Sequence, residues 1–208
     1  MNTHSLKGET NVGKKKGAKY EQIIEAAVAV IARFGYHQAQ VAKIAKEAGV
    51  ADGTIYLYFT SKEDLLISLF EEKMGQFIET IRTRIQTKQT FEEKLLLLIQ
   101  THFEQLQANP QLAIVTQLEL RQSNKELRKK INQILKGYLL LIDELIKEGQ
   151  SSASVKQQLD SRLVRQMIFG TLDEVVTNWV MKDCKYDLVV QAKPIHQMLV
   201  SGISERLS

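Results

Sequence analysis

Proline occurs only twice in the 208 residues, at Pro110 and Pro194. Proline breaks helices because it lacks an amide donor and its ring clashes with the preceding turn. A chain nearly free of it can run long helices without interruption, and the apolar residues here recur at helical spacing. Ile23, Ile24, Ala27, Val30 and Ile31 repeat at intervals of three and four and form one stripe. No stretch alternates with period two, and no hairpin turn signal is present. The expected fold is all-α, with about nine helices and no sheet.

Capping signals divide the chain. A helix from Lys19 should end at Phe34-Gly35, with Gly35 as a left-handed cap. A short helix over 41–48 stops at Gly49, and a second short one spans about 52–59. Thr60 or Ser61, with Glu63 or Asp64 three residues on, opens a long helix to about Gln86. Thr90 with Glu93 caps a helix to about Gln107. Asn109 followed by Pro110 starts another, ending near Gln122. Ser123 with Glu126 caps one that should stop at Gly149, and 150–154 reads as a loop. Asp160 opens a helix to about Asp183, and Pro194 marks a last one to about Glu205. Residues 1–17 are polar, carry Lys14, Lys15 and Lys16, and read as a disordered basic arm.

Residues 41–59, VAKIAKEAGVADGTIYLYF, place two short helices across Gly49-Val50-Ala51. That is the helix-turn-helix pattern. Gly49 supplies the positive φ of the tight turn, and Ile44, Ala45 and Val50 pack the pair. The second helix would enter a major groove and offer Thr54, Tyr56 and Tyr58 to bases or phosphates. Lys62 starts the next helix, Gln40 stands before the first, and Lys19 with the arm lysines can follow the DNA backbone. The alternative for Phe59 and Tyr58, and less so Tyr56, is a core aromatic cluster; for Asp52 it is an N-cap.

Charge follows the same division. The chain has 28 Lys/Arg and 24 Asp/Glu, a net charge of +4. Residues 1–62 hold nine of the basic and five of the acidic residues, so all the excess lies in the first third. A small anion-binding unit on a neutral body explains this; so would a solubilising tail.

The block 23–66, above all AGVADGTIYLYFTSKEDLL (48–66), closely resembles the DNA-binding domain of TetR-type one-component repressors. The resemblance implies an N-terminal helix-turn-helix domain over 18–64 and a helical ligand-binding and dimerisation domain over 65–208. It puts Gln40, Ala51, Gly53, Thr54, Tyr56, Tyr58 and Lys62 at positions that touch double-stranded DNA. Asp52 would oppose phosphate there and is expected to cap the recognition helix. The stretches LAIVTQLELRQSNKELRKKINQILKGYL (112–139) and RQMIFGTLDEVVTNWVMKDCKYDL (165–188) are similar to the FadR-type repressors of Gram-positive bacteria. That similarity implies control of fatty acid degradation genes and release from DNA on binding long-chain acyl-CoA.

Such a ligand needs an apolar pocket for its tail and cations for its phosphates. Leu98, Phe103, Ile114, Leu118, Leu135 and Phe169 are tail candidates, although core packing alone would also account for them. Arg121 and Arg128 are head-group candidates, with Arg162 and Arg165 opening the penultimate helix. Arg121 can instead pair with Glu119 or Asp173. The last two helices are apolar on more than one side. Met167, Val175, Trp179, Met198 and Leu199 are therefore expected at a homodimer interface, which would suit a palindromic operator.

Other classes find little support. Cys184 is the only cysteine, so no internal disulfide forms, and a cytoplasmic setting fits. The longest apolar run is 95–99, far too short to span a bilayer. His4, His37, His102 and His196 form no metal-ligand spacing, and no nucleophile elbow or P-loop is present. No metal, no prosthetic group and no enzymatic activity are expected. The main rival is a repressor of the same fold that senses lipophilic cations, whose pocket would set an acid among aromatics.

Overall fold

The caps read from the sequence start most of the long helices. The computed structural model describes residues 17–119 and 125–204, with Glu119 described by its backbone alone. Among these residues there are nine α-helices and no strand. The first is α1 (Ala18–Gln38), in which Gly35 takes φ 73° and interrupts the helical geometry, leaving a last turn at 36–38. Then come α2 (Val41–Glu47) and α3 (Asp52–Ile55). The long α4 (Lys62–Ile85) starts at Ser61, whose hydroxyl accepts from the Asp64 amide at 3.0 Å. Asp64 in turn accepts from the Thr60 amide at 2.8 Å, so Thr60 and Ser61 both serve this start. The reciprocal box of Thr90 and Glu93 opens α5 (Phe91–Ala108). Asn109 accepts from the Leu112 amide at 2.9 Å and opens α6 (Pro110–Glu119). After α7 (Lys125–Ser151), the Asp160 carboxylate caps α8 (Ser161–Met181), accepting from the Arg162 amide at 2.7 Å. A 3-10 turn, Val189–Gln191, leads into α9 (Ala192–Ile203).

Four local expectations need correction. First, α3 is a single turn, because the chain leaves helical hydrogen bonding at Tyr56. Second, Asp52 does not cap it: the N-cap is Ala51, with no side-chain bond, and Asp52 lies inside the first turn. Its carboxylate can still favour the positive end of the helix dipole. Third, Gly149 does not end α7. Its φ is not positive; the left-handed residue beyond the helix is Ala153, at φ 58°. Fourth, Pro194 is the third residue of α9 and not its start; in the first turn its missing amide costs no hydrogen bond. The helix start expected at Ser123 and the end near Gln122 lie outside the described residues, as do residues 1–16 and the end near Glu205.

Gly149 is glycine for a packing reason. A Cβ there would stand 2.7 Å from side-chain carbons of both Phe91 and Val155, which are buried. Gly75, inside α4, has nothing within 4 Å of the same position. Alanine at Gly75 should therefore stabilise the protein by about 0.5–1 kcal/mol through helix propensity. At Gly149 the overpacking cost of about 1–3 kcal/mol should exceed that gain and reverse the sign. Urea unfolding of Gly75→Ala and Gly149→Ala checks both; equal signs would mean that the Phe91 side of the core yields easily.

In the body, α5 is the central helix and packs on α4, α6, α7 and α9. Its buried face runs through Leu95, Leu98, Ile99, His102, Phe103 and Leu106. α8 packs on α6 and α7, and α9 lies against α5. The head joins the body through α1, which packs on both α4 and α6. α1 thus lies between the helix-turn-helix and both of these body helices.

Candidate DNA-binding head and ligand cavity

The head is built on a small aromatic core. Phe59 is 1% exposed and stacks on Tyr20, with ring centroids 5.3 Å apart. Tyr58 is half-buried and tilted against both rings at 6.3 Å. Ile44, Ala45 and Ile55 fill the space between α2 and α3, and Gly49 turns the chain at φ 63°. Gln40, Ala51, Gly53 and Tyr56 are exposed on the head, Thr54 is half-buried, and Lys19 is exposed in the first turn of α1.

Two features depart from the sequence reading. Leu57 is 82% exposed, the most exposed large apolar side chain described, beside Tyr56 at 58%. Its position out of phase with buried Ile55 and Phe59 was the available signal. Lys62 is half-buried; its ammonium donates to the His37 carbonyl at 3.1 Å and sits 4.5 Å above the Tyr36 ring. It therefore ties the start of α4 to the end of α1. Lys73 and Glu25 form a second α4–α1 ion pair.

In the body, a narrow cavity lies between five helices. Met74 and Phe77 of α4, His102 and Leu106 of α5, and Leu112, Thr116 and Gln117 of α6 form one part of its wall. Leu135 and Tyr138 of α7 and Phe169 and Asp173 of α8 complete it. Phe169 also lines an open groove with Leu139, Gln166, Arg162 and Arg165. Arg165 pairs with Asp143 at 2.6 Å.

Leu135 and Phe169, named from the sequence, are at this wall; most of their companions are not. Leu98 and Phe103 are wholly buried in the core and do not line the cavity. Ile114 is half-buried and packs against the core, and Leu118 is 49% exposed. Arg128 is exposed and lines none of the cavities described. Arg121 lies outside the described residues. Periodicity separates inside from outside on a helix, but it cannot say which inside positions face a void.

The dimer set divides likewise. Met167 and Met198 are 45% and 66% exposed, and Val175 is half-buried. Trp179 and Leu199 are 1% and 4% exposed within the single subunit, so neither can supply an interface. The Trp179 indole donates to the Tyr186 carbonyl at 2.7 Å, closing the loop after α8 onto its own helix.

The sequence reading missed a polar pair. His102 Nδ1 lies 2.8 Å from the Tyr138 hydroxyl, and both side chains are buried. Burial pushes the His102 pKa down from 6.5 to about 3 and raises that of Tyr138. His102 shares the buried stripe of Leu95, Leu98 and Leu106 at spacings of three and four, and that phase was legible. The unfolded chain binds a proton below pH 6.5 that the folded His102 refuses until about pH 3. Stability is thus complete above the ordinary histidine pKa and falls as pH drops. From pH 7 to pH 5 this one residue should remove about 2 kcal/mol. His196, its pKa lowered by partial burial, acts in the same direction. His102→Gln should flatten the profile; an unchanged pH slope in urea titrations would show that His102 charges without unfolding.

With this geometry in view, likeness to known proteins is decisive. Residues 23–69 match the family model of bacterial regulatory proteins of the tetR family, and residues 70–202 match the C-terminal region of YsiA-like proteins. The chain belongs to the TetR family. It is 63% identical over 193 residues to the fatty acid metabolism regulator protein of Bacillus subtilis (strain 168), across 93% of this chain and 100% of that protein. Its fold is similar to that of the fatty acid degradation regulator FadR from Bacillus halodurans. That likeness has a TM-score of 0.89 and 67% identity, over 93% of this chain and 100% of the other. A further TetR-like neighbour is FadR from Bacillus subtilis in complex with stearoyl-CoA, with a TM-score of 0.86 and 64% identity, over 88% and 99%. The all-helical fold and the helix-turn-helix thus agree between sequence, structure and family. Among the described residues no helix is long and apolar enough to cross a membrane.

Proposed function

We propose that this chain is a cytoplasmic, homodimeric repressor of fatty acid degradation genes. It leaves a palindromic operator when long-chain acyl-CoA binds the body. The observation that carries this reading is the near-complete alignment, at 63–67% identity, with fatty acid regulators, one of them solved with stearoyl-CoA. The cavity supports it physically. Its wall is mostly apolar, and it adjoins, through Phe169, a groove bearing Arg162 and Arg165. We assign the acyl tail to the cavity and the phosphates of the head to that groove. There Arg162 can add its guanidinium, while Arg165 is held by Asp143.

The head, residues 18–64, would read DNA through Gln40, Ala51, Gly53, Thr54 and Tyr56, with Leu57 available for an apolar contact and Lys19 for the backbone. Lys62 would act mainly by holding α4 against α1. Met167, Val175 and Met198 are the candidates for the dimer face, joined by Leu163, which is 64% exposed. Ligand in the cavity presses on Met74 and Phe77 of α4 and on Leu112 and Thr116 of α6. These helices carry α1. Ligand therefore favours the dimer form whose recognition helices miss successive major grooves. It shifts the equilibrium only by its difference in affinity for the two forms, and DNA weakens ligand binding by the same factor.

One observation favours a second reading. Asp173 stands in the cavity wall with Phe77, Tyr138 and Phe169, the composition a lipophilic cation would use. Asp173 has interactions of its own, which make it a poorer counter-ion for a guest. Fluorescence anisotropy of DNA carrying a palindrome from a fatty-acid-degradation promoter decides between the readings. We expect tight binding with a steep salt dependence, abolished by long-chain acyl-CoA and not by free fatty acid or free CoA. Release by cationic dyes with no effect of acyl-CoA would establish the second reading. Turnover of acyl-CoA by the purified protein would overturn a purely regulatory role.

A further inference from the structure

The His102–Tyr138 pair leaves one ring nitrogen without a partner. His102 is 6% exposed and its ring lines the cavity. Nδ1 is 2.8 Å from the Tyr138 hydroxyl, while Nε2 is buried and has no hydrogen-bond partner among the described residues. A tyrosine hydroxyl can donate or accept, so the contact itself fits either tautomer of the ring. The Tyr138 hydroxyl carries one hydrogen, and the histidine ring is its hydrogen-bond partner. When it donates to Nδ1, that nitrogen is bare. Deep burial keeps the imidazole neutral, so its single proton then sits on Nε2. In that tautomer Nε2 is an uncharged N–H donor in a wall that is otherwise mostly carbon.

A buried donor left unpaired is costly, and native interiors rarely tolerate it. Around the ring, Phe77 and Phe103 stand edge-to-face with centroids at 5.2 and 5.7 Å, so neither offers a conventional acceptor. The cavity that His102 lines is where a guest can bring an acceptor. A donor that carries no charge suits an acceptor that carries none. Among the parts of an acyl-CoA, the thioester carbonyl is the uncharged acceptor attached directly to the apolar tail.

We propose that His102, held in its Nε2–H tautomer by Tyr138, donates a hydrogen bond to the thioester carbonyl of the bound acyl-CoA and so sets how deep the chain sits. This rests on the acyl-CoA reading above. It adds a specificity-determining residue to that reading: the cavity recognises a thioester and not merely a long chain. Tyr138 is a positioning residue, since it acts through the histidine.

The test compares stearoyl-CoA with its thioether analogue, S-octadecyl-CoA, in which a methylene replaces the carbonyl. Binding to the full-length protein is measured calorimetrically at pH 7, below the micelle concentration of each ligand. Wild-type protein should prefer the thioester about tenfold, the effect of one hydrogen bond to an otherwise unpaired donor. His102→Phe should bind both within about twofold of each other, and His102→Gln, whose amide nitrogen reaches a similar place, should restore part of the preference. The wild-type comparison needs no variant to fold; circular dichroism and melting of the two variants accompany the rest. Measurable but equal wild-type affinities would overturn the donor assignment while leaving the acyl-CoA reading intact, and would place the N–H on an aromatic face. A preference that persists in His102→Phe would overturn it too. No binding of either ligand would remove the acyl-CoA reading, and this assignment with it.

Discussion

Trp179→Ala should destabilise the subunit itself by about 3–5 kcal/mol, the usual cost of removing a fully buried large aromatic side chain. The indole is 1% exposed with no partner subunit counted. Its N–H donates to the Tyr186 carbonyl at 2.7 Å, and the Trp179 carbonyl accepts from the Cys184 amide at 3.0 Å. The ring therefore fastens the turn after α8 to its own helix. Removing it opens a void and unlatches the chain leading to Leu188, whose amide, with that of Val189, is held by the Gln107 side chain. Urea unfolding at several protein concentrations separates this loss from a loss of assembly, since an oligomer's apparent stability depends on concentration and a subunit's does not. A Trp179→Ala protein that unfolds like wild type when dilute, yet fails to dimerise, would return Trp179 to the interface. Met198→Glu is the converse control: at 66% exposure it should leave the subunit fold almost untouched while weakening dimerisation.

Phe59→Ala should cost a similar amount, about 3–5 kcal/mol, but the loss should be felt in the head. Phe59 closes the helix-turn-helix from beneath. It stacks on Tyr20 of α1, and its amide bonds the Ile55 carbonyl at 3.0 Å, ending the recognition turn. Because α3 has only four residues, it has too few internal hydrogen bonds to persist alone. Its orientation is set by Ile55 and Phe59 packed onto α1 and α2. Removing the ring should abolish specific operator binding while acyl-CoA affinity stays within a few-fold of wild type, since the cavity does not include this residue. Anisotropy and calorimetry on the same preparation check the two halves. Operator affinity within twofold of wild type would mean that the recognition turn does not need its aromatic floor.

Wherever the deciding partner lay within a few residues, the sequence was a sufficient guide. The Thr90–Glu93 box, the Asp160 cap, the Asn109 cap and the left-handed turns at Gly35 and Gly49 are local hydrogen bonds or single torsions, and all are present in the fold. The helix-turn-helix was legible for the same reason, since its packing residues and its turn occupy one stretch of nineteen positions. Other features depended on distant partners, and helical phase alone could not place them. Gly149 read as a stop signal because one of its two packing constraints, Phe91, is far away in the sequence, and the other, Val155, reaches it only once the chain beyond the helix folds back. Trp179 read as an interface residue because the loop that covers it folds back from beyond the end of its helix. The cavity is the clearest case. An apolar stripe requires burial, and burial looks the same in sequence whether the neighbour is a side chain or a void. Only the packing of α4 to α8 around one another decided that Leu98 and Phe103 are core, that Leu135 and Phe169 face open space, and that His102 meets Tyr138 across 36 residues with a ring nitrogen to spare.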